Sequence, residues 1–168
     1  LTREAQDEVA ARSHQRAAAA REAGVFDAEI VPVTVPQRRG EPLVLTADEG
    51  IRPETTVETL AGLRPAFAEG GSITAGNSSQ ISDGASAVVV TTRAEAEAHG
   101  WPVLVAVGAS GQTAGPDNSL QEQPAHAIQR ALDKQGITAA DVDLVEINEA
   151  FGAVVARSEA VLGLDPQI

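Results

Sequence analysis

The sequence contains no cysteine, no methionine and no tyrosine in its 168 residues. The absence of cysteine excludes disulfide bonds, thiolate metal ligands and any mechanism in which this chain supplies a cysteine nucleophile. Aromatic residues are also scarce, with three Phe and one Trp, and much of the hydrophobic content is alanine. Large side chains that could fill a core are therefore few, and an independent core would be small.

Basic residues are scarce as well, because 12 Lys and Arg oppose 24 Asp and Glu and leave a net charge of −12. This charge repels the phosphates of nucleic acids and the headgroups of anionic lipids. No apolar run approaches the roughly 18 residues that span a bilayer, and the N-terminal residues do not resemble a signal peptide. The sequence predicts a soluble, cytoplasmic protein with no nucleic-acid or membrane partner.

The first third of the chain predicts one long helix and a short hairpin. Residues 2–23 are rich in Ala, Arg, Glu and Gln, and Gly24 ends the pattern as a glycine cap would. Residues 28–35 have the β-branched content of a strand, but prolines within and after this run confine it to a sheet edge. We expect residues 43–46 to pair with it.

The middle of the chain predicts two short helices separated by a buried strand. Thr55 and Glu58 fit a capping box for a helix that ends at Gly62. Residues 85–91 form a continuous run of small and β-branched apolar residues, which is typical of a strand buried on both faces. A second capped helix is expected at residues 92–100.

The last third of the chain alternates strand and helix. Strands are expected at residues 103–109 and 143–147, and helices at residues 124–135 and 149–162. Parallel strands joined by helical crossovers accommodate such a β-α-β-α order, so the sequence predicts an α/β fold.

The histidines and the serine after the strand expected at residues 103–109 are weak candidates for chemistry. His14, His99 and His126 show no i, i+3 or i, i+4 spacing, so we predict no metal site. Ser110 follows a strand, where α/β sheets bind ligands, but the surrounding glycines do not have the G-x-S-x-G spacing of a nucleophilic serine. A ligand contact and an ordinary turn serine are equally good interpretations of Ser110.

A loop of small residues at 70–84 precedes the buried apolar run. It matches neither of the common glycine-rich phosphate-binding motifs. The favoured interpretation is an ordinary tight loop, in which Asn77 or Asp83 bonds to the loop backbone.

Asn148 stands in the Asn-Glu-Ala-Phe segment where the last expected strand meets the last expected helix. Its amide cannot act as an acid or base at neutral pH, but it can hold a water or an oxygen on which negative charge develops. The alternative interpretation is that Asn148 caps the helix, which the spacing alone slightly favours.

Four motifs in this order resemble the thiolase family, the acetyl-CoA acetyltransferases. They are TREAQD at residues 2–7, LRPAF at 63–67, TAGNSSQISDGA at 74–85 and NEAF at 148–151. The resemblance extends over essentially the whole chain.

The resemblance implies an α/β protein with a partial thiolase fold, whose family layers each core domain as helix, sheet and helix. Residues 1–84 would belong to the loop domain and its return to the core. Residues 85–100 would end the N-terminal core domain with its last strand, and residues 101–168 would begin the C-terminal core domain with its first βαβα unit. Because the chain starts at Leu1 rather than at a methionine, we expect a central fragment of a longer protein.

The family transfers acyl groups covalently. A cysteine accepts the acyl group, a histidine in a Gly-His-Pro motif activates that cysteine, and a second cysteine moves protons during thiolysis or Claisen condensation. None of these three residues occurs in this sequence. The resemblance therefore implies that this chain alone is inactive and that the full-length parent, a homodimer or homotetramer of fatty acid metabolism, acts on acetyl-CoA, acyl-CoA and CoA without another cofactor.

Three residues match positions with a role in the family. Asn148 resembles the asparagine that holds a water in the oxyanion hole, Ser110 the serine that contacts the pantetheine arm of CoA, and Arg64 the arginine near its adenosine phosphates. Two positions depart from the family pattern. Residues 121–124 replace a Gly-x-Gly-Pro turn, and Gly152 replaces an alanine, which we expect to be a mild cost in helix propensity.

Two alternatives stay open at this point. The chain could be a noncatalytic module that binds CoA through Arg64 and Ser110, or a structural partner in a hetero-oligomer. Both are weakened because a parallel sheet cut after two strands leaves unpaired edges and half a core.

Overall fold

The computed structural model describes residues 1–117 and 119–166. The segment expected to begin the C-terminal core domain, residues 101–168, therefore ends outside the described residues. The chain forms two compact units. The first contains Leu1–Gln80 and Asn148–Ala156, and the second contains Ile81–Ile147 and the residues from Arg157 onward. Among the described residues, no helix is both long enough and apolar enough to cross a membrane.

The regular elements are five α-helices, one short 3-10 helix and two strands among the described residues. In chain order they are α1 (Arg3–Glu22), β1 (Val33–Val35), β2 (Leu43–Leu45), α2 (Val57–Ala61), α3 (Arg93–His99), α4 (Gln123–Gln135), the 3-10 turn Ala139–Asp141 and α5 (Gly152–Leu162).

The long helix α1 is confirmed. The Thr2 hydroxyl caps it by accepting a hydrogen bond from the Ala5 N–H at 3.1 Å, and Gly24 follows its end with a φ of 70°. A positive φ favours glycine, which explains why the helical pattern stops there. The helix packs against α2, and it buries two polar side chains, Gln6 and Asp7, as well as small apolar ones.

The predicted hairpin is also confirmed. Strands β1 and β2 pair antiparallel, with Val33 opposite Leu45 and Val35 opposite Leu43. The strands are shorter than the apolar runs that predicted them, because prolines flank β1 and cannot donate to a ladder.

The capping box predicted for α2 is wrong by one residue. The Thr56 hydroxyl accepts the Thr59 N–H at 3.2 Å, and the Thr59 hydroxyl accepts the Thr56 N–H at 3.0 Å. Thr55 is buried instead, and its carbonyl accepts a hydrogen bond from the Gln15 side chain of α1. Packing against α1 therefore decides which of two adjacent threonines caps the helix.

In the second unit, α3 and α4 are confirmed with their glycine caps. The Thr92 hydroxyl accepts the Glu95 N–H at 3.2 Å, and Gly100 ends α3 with a φ of 67°. Helix α4 has a proline in its first turn and ends at Gly136, whose φ is 72°.

Helix α5 begins at Gly152 rather than at the expected residue 149.

The three strands expected at 85–91, 103–109 and 143–147 do not form as strands in the described residues. These segments run without regular structure, and their apolar side chains are exposed, as in Val89 at 88%, Leu104 at 92% and Leu144 at 82%. The runs were correctly identified as apolar, but a strand also needs a neighbouring backbone. No described segment of this chain pairs with them.

Side chains of α4 form hydrogen bonds with backbone groups in the expected strand 103–109 and just after it. In a β-sheet, a neighbouring strand would pair with such groups. The Lys134 ammonium donates to the Ser110 carbonyl at 2.6 Å, and the Arg130 guanidinium donates to the Gln112 carbonyl. The Ala109 N–H donates to the Gln135 side chain at 3.2 Å. Residues 109–112 are thereby fastened along α4 by side-chain hydrogen bonds.

Gly111 lies against the backbone of α4. A Cβ at this position would lie 1.8 Å from the Ala127 carbonyl oxygen and 2.9 Å from the Ala131 nitrogen. Gly108 has open space by comparison, since the nearest atom to a Cβ there is a side-chain oxygen of Gln135 at 3.6 Å.

We predict that Gly111→Ala destabilises the purified protein by about 1–3 kcal/mol, because the methyl group forces the segment away from α4. Gly108→Ala is the matched control and should change stability by less than about 0.5 kcal/mol. Urea denaturation followed by circular dichroism measures both. Equal unfolding midpoints for the two variants would contradict the close approach at Gly111.

Candidate functional site

Asn148 is exposed and precedes α5 without capping it. The helix begins at Gly152, and the Asn148 carbonyl accepts a hydrogen bond from the Ala150 N–H at 2.8 Å. The helix-cap interpretation is therefore wrong. No described residue forms a hydrogen bond with the Asn148 side-chain amide, so this amide is available to a ligand or a water.

The Asn-Glu-Ala-Phe segment is held by the loop of small residues. The Ser79 N–H donates to the Ala150 carbonyl at 3.1 Å, and the Gly152 N–H donates to the Asn77 carbonyl at 2.9 Å. Ser78 and Phe151 form an antiparallel bridge between these bonds. The interpretation of the loop as an ordinary turn therefore missed its second role, which is to position the segment that follows Asn148.

Asn77 ties the loop to itself, as predicted, and also to helix α1. Its side-chain oxygen accepts the Thr74 N–H at 2.8 Å, and its Nδ2 group donates to the Ser72 carbonyl at 3.1 Å and to the Asp7 carboxylate at 2.8 Å. Asp7 and Asn77 are 1% and 2% exposed, and Thr74 is fully buried. A polar cluster thus lies in the interior of the first unit.

Arg3 neutralises the buried carboxylate. Its Nε donates to Asp7 at 2.7 Å, while the other guanidinium nitrogens donate to the carbonyls of Leu60 and Leu63 at the end of α2. A buried charge is tolerated when it is paired and fully hydrogen-bonded, and both conditions hold here. Sequence reasoning missed this cluster, although Arg3, Asp7 and Asn77 all stand in motifs that carried the family resemblance.

Arg64 lies in the same unit and beside the same loop. Pro65 forms an antiparallel bridge with Thr74, and the Ala66 N–H donates to the Ile73 carbonyl at 2.8 Å. The Arg64 side chain is exposed and has no described partner. The loop therefore pairs at its start with the segment that carries Arg64 and at its end with the segment that carries Asn148.

Ser110 belongs to the second unit. It is exposed, its carbonyl is engaged by Lys134, and its hydroxyl has no hydrogen-bond partner among the described residues. A hydrogen bond from this hydroxyl to a ligand stays a prediction.

Two aromatic rings meet beside the Asn148 segment. Phe67 and Phe151 pack edge to face, with ring centroids 5.9 Å apart and an interplanar angle of 88°. Phe67 is 72% exposed. An exposed aromatic surface of this kind can contact the apolar part of a ligand.

Titratable groups near Asn148 have structural partners. The Ser13 hydroxyl donates to the Glu149 carboxylate at 2.5 Å, and the Arg52 N–H donates to the His14 ring. Among the described residues, no group of three or more His, Cys, Asp or Glu side chains could hold a metal ion.

Two exposed carboxylates, one in the first turn of α2 and one in the 3-10 turn, have lowered pKa values. Hydrogen bonds from its own backbone N–H and from Thr56 lower the pKa of Glu58, and hydrogen bonds from Thr138 lower that of Asp141. In both cases the hydrogen bonds stabilise the charged form of the carboxylate.

Gly152 lies where α5 meets α1. A Cβ at Gly152 would lie 2.6 Å from the Gln6 carbonyl oxygen. The expected mild cost in helix propensity is thus accompanied by a packing constraint that the sequence did not reveal. The close approach of the two helices requires a residue without a side chain.

Comparisons with known proteins agree on one family. The model of the thiolase N-terminal domain matches residues 1–94, and that of the thiolase C-terminal domain matches residues 101–168. A probable acetyl-CoA acetyltransferase of Mycobacterium tuberculosis is 58% identical over 168 residues, which are 100% of this chain and 43% of that protein. The human peroxisomal 3-ketoacyl-CoA thiolase is 47% identical over 171 residues, covering 99% of this chain and 40% of that protein.

A solved structure is similar over the same extent. The crystal structure of the Bacillus anthracis acetyl-CoA acetyltransferase matches with a TM-score of 0.90 and 41% identity, over 99% of this chain and 42% of that one. The chain thus spans less than half the length of the relatives it matches.

We predict that Gly152→Ala destabilises the protein by about 1–3 kcal/mol, although alanine is the better helix former, because its methyl group would collide with the α1 backbone. Gly62→Ala is the matched control. Gly62 has a φ of −73°, and a Cβ there would lie 3.8 Å from the Thr59 carbonyl oxygen, so alanine fits there. Thermal unfolding measures both variants, and a Gly152→Ala protein as stable as the control would refute the requirement for glycine.

Proposed function

The chain belongs to the thiolase family and has part of the thiolase fold, and from this we propose that the full-length protein containing it is an acetyl-CoA C-acyltransferase. It would cleave a 3-ketoacyl-CoA with CoA to give a shortened acyl-CoA and acetyl-CoA, or join two acetyl-CoA molecules to acetoacetyl-CoA and CoA. The names of the relatives, an acetyltransferase and a 3-ketoacyl-CoA thiolase, support this reaction class.

The observation that carries the proposal is the exposed, unpaired amide of Asn148 on a segment fastened at two backbone positions. In the proposed reaction the acetyl-CoA thioester oxygen gains negative charge as the enolate forms. The Asn148 amide would hold a water against this oxygen and stabilise the charge. A donor held in place before the reaction lowers the barrier because little reorganisation is needed in the transition state.

Residues 1–168 contain no cysteine that could accept the acyl group as a thioester. Acyl transfer in this family needs a thiolate nucleophile and a base that generates it, and the sequence contains no cysteine. We propose that both lie elsewhere in the full-length protein, and that this segment alone catalyses no acyl transfer. Cytoplasmic location and assembly into a homodimer or homotetramer remain predictions for that protein.

Arg64 and Ser110 are the proposed contacts to CoA. A guanidinium group suits phosphate because its N–H donors match the spacing of phosphate oxygens. Arg64 is exposed without a described partner, and it would provide local attraction for the nucleotide in a chain with a net charge of −12. The Ser110 hydroxyl would donate to or accept from an amide of the pantetheine arm.

We expect Asn148→Ala in the full-length protein to lower kcat by about 10²–10³, because one oxyanion donor is lost, while CoA affinity stays within about twofold. Steady-state thiolysis of acetoacetyl-CoA and calorimetric titration with CoA measure the two effects. Gln129→Ala, which removes an exposed amide from α4, serves as the control. Unchanged turnover in Asn148→Ala would remove this residue from the mechanism.

We expect Arg64→Ala to raise KM for CoA by about three- to tenfold, with kcat nearly unchanged, because an exposed phosphate contact contributes to binding alone. The same variant should use an N-acetylcysteamine thioester, which lacks the nucleotide, as well as the parent does. Arg39→Ala, at an exposed arginine of the hairpin turn, is the matched control. An equal loss with both substrates would show that Arg64 does not contact the nucleotide.

A further inference from the structure

We infer that Asn77 is a positioning residue for Asn148, and that the Asp7–Asn77 hydrogen bond sets where the Asn148 amide lies. This inference rests on the proposed function, in which Asn148 polarises the thioester. The Asn77 side chain makes no hydrogen bond to the Asn148 side chain among the described residues, so its effect would pass through the backbone.

The first step is the backbone contact between the loop and the Asn148 segment. The Asn77 carbonyl accepts the Gly152 N–H at 2.9 Å, and the Ser79 N–H donates to the Ala150 carbonyl at 3.1 Å. These two bonds flank the Ser78–Phe151 bridge. Asn148 lies two residues before Ala150, and its own carbonyl accepts the Ala150 N–H. A shift of the loop would therefore move the backbone that carries the amide.

The second step is the anchoring of Asn77. The side chain makes three hydrogen bonds, to the Thr74 N–H, the Ser72 carbonyl and the Asp7 carboxylate. The Thr74 N–H requires an acceptor and the carboxylate requires a donor, so these partners define the orientation of the amide. Aspartate at this position would keep the bond to Thr74 but place two carboxylates against each other. Asparagine is the fitting residue for this cluster.

The third step is the connection to helix α1. Asp7 is paired with Arg3, which also binds the two carbonyls at the end of α2. The residue before Asp7 on the helix is Gln6, whose carbonyl lies so close to Gly152 that a Cβ would not fit. Two consecutive residues of one long helix thus fix the start of α5, one directly and one through Asn77.

Catalysis by a preorganised dipole is sensitive to small displacements. A misplacement of about 1 Å can cost up to 10²-fold in rate, whereas CoA binding through other contacts tolerates it. Loosening the Asp7–Asn77 bond should therefore lower kcat more than it raises KM. It should matter only while the Asn148 amide is present.

The test uses Asn77→Asp and Asp7→Asn in the full-length protein, each alone and combined with Asn148→Ala. Each single variant should lower kcat by about tenfold and change KM by less than about twofold. In the Asn148→Ala background the same substitutions should lower kcat by less than about twofold, because they act through the missing amide. Glu8→Gln, which removes an exposed charge from the same helix, is the control and should change neither constant.

Hydrogen exchange provides a readout that does not depend on activity. The amide protons of Gly152 and Ser79 should exchange faster in Asn77→Asp than in the parent, and at the parent rate in Glu8→Gln. Unchanged exchange at both amides would overturn the inference. A double variant whose loss in kcat equals the product of the two single-variant losses would also overturn it, because the two residues would then act independently. Insolubility of both single variants would assign the cluster to folding alone and equally overturn it.

The two proposals fail in different ways. If Asn148→Ala leaves turnover unchanged while Asn77→Asp accelerates exchange at Gly152, the proposed role of Asn148 fails. If Asn148→Ala lowers turnover and the double variants show independent losses, the proposed function stands and Asn77 is not its positioning residue.

Discussion

The hydrogen bond between Asp7 and Asn77 connects residues 70 positions apart and holds the first unit together around its candidate site. One end belongs to a long helix with a hydroxyl cap, and the other belongs to a loop of small residues. Because the bond is buried, water does not compete with it, and both groups depend on each other for satisfaction. Held in this position, the loop pairs with the segment that carries Arg64 and with the segment that carries Asn148. One polar contact in the interior of the first unit thus links α1 to the loop that pairs with both candidate segments.

Local features of the structure followed closely from the sequence. Helices α1, α3 and α4 begin and end within about one residue of their expected bounds, because hydroxyl caps and glycines with positive φ act within a single turn. The hairpin was also predicted correctly, because the prolines and the turn that define it lie close to it in sequence. The choice between Thr55 and Thr56 as a cap did not follow, because contact with Gln15 of α1 decides it.

Features that depend on distant residues could not be predicted. The apolar runs at 85–91, 103–109 and 143–147 have the composition of strands, but pairing is a property of two backbones, and no described segment of this chain pairs with them. The cluster of Arg3, Asp7 and Asn77 could not be predicted either. An aspartate in the first turns of an alanine-rich helix is normally expected to be exposed to solvent. The family resemblance singled out Asn148 as a candidate because the Asn-Glu-Ala-Phe motif is compact and contiguous, and its role stays a prediction.

The engagement of Lys134 with the Ser110 carbonyl has a practical consequence, since this is the one lysine in the sequence. Within residues 1–168, an amine-directed chromophore or cross-linker has a single side chain to attach to. That place is fastened to the backbone of a candidate CoA contact. A fluorophore installed there would report on the surroundings of Ser110 without any engineered cysteine.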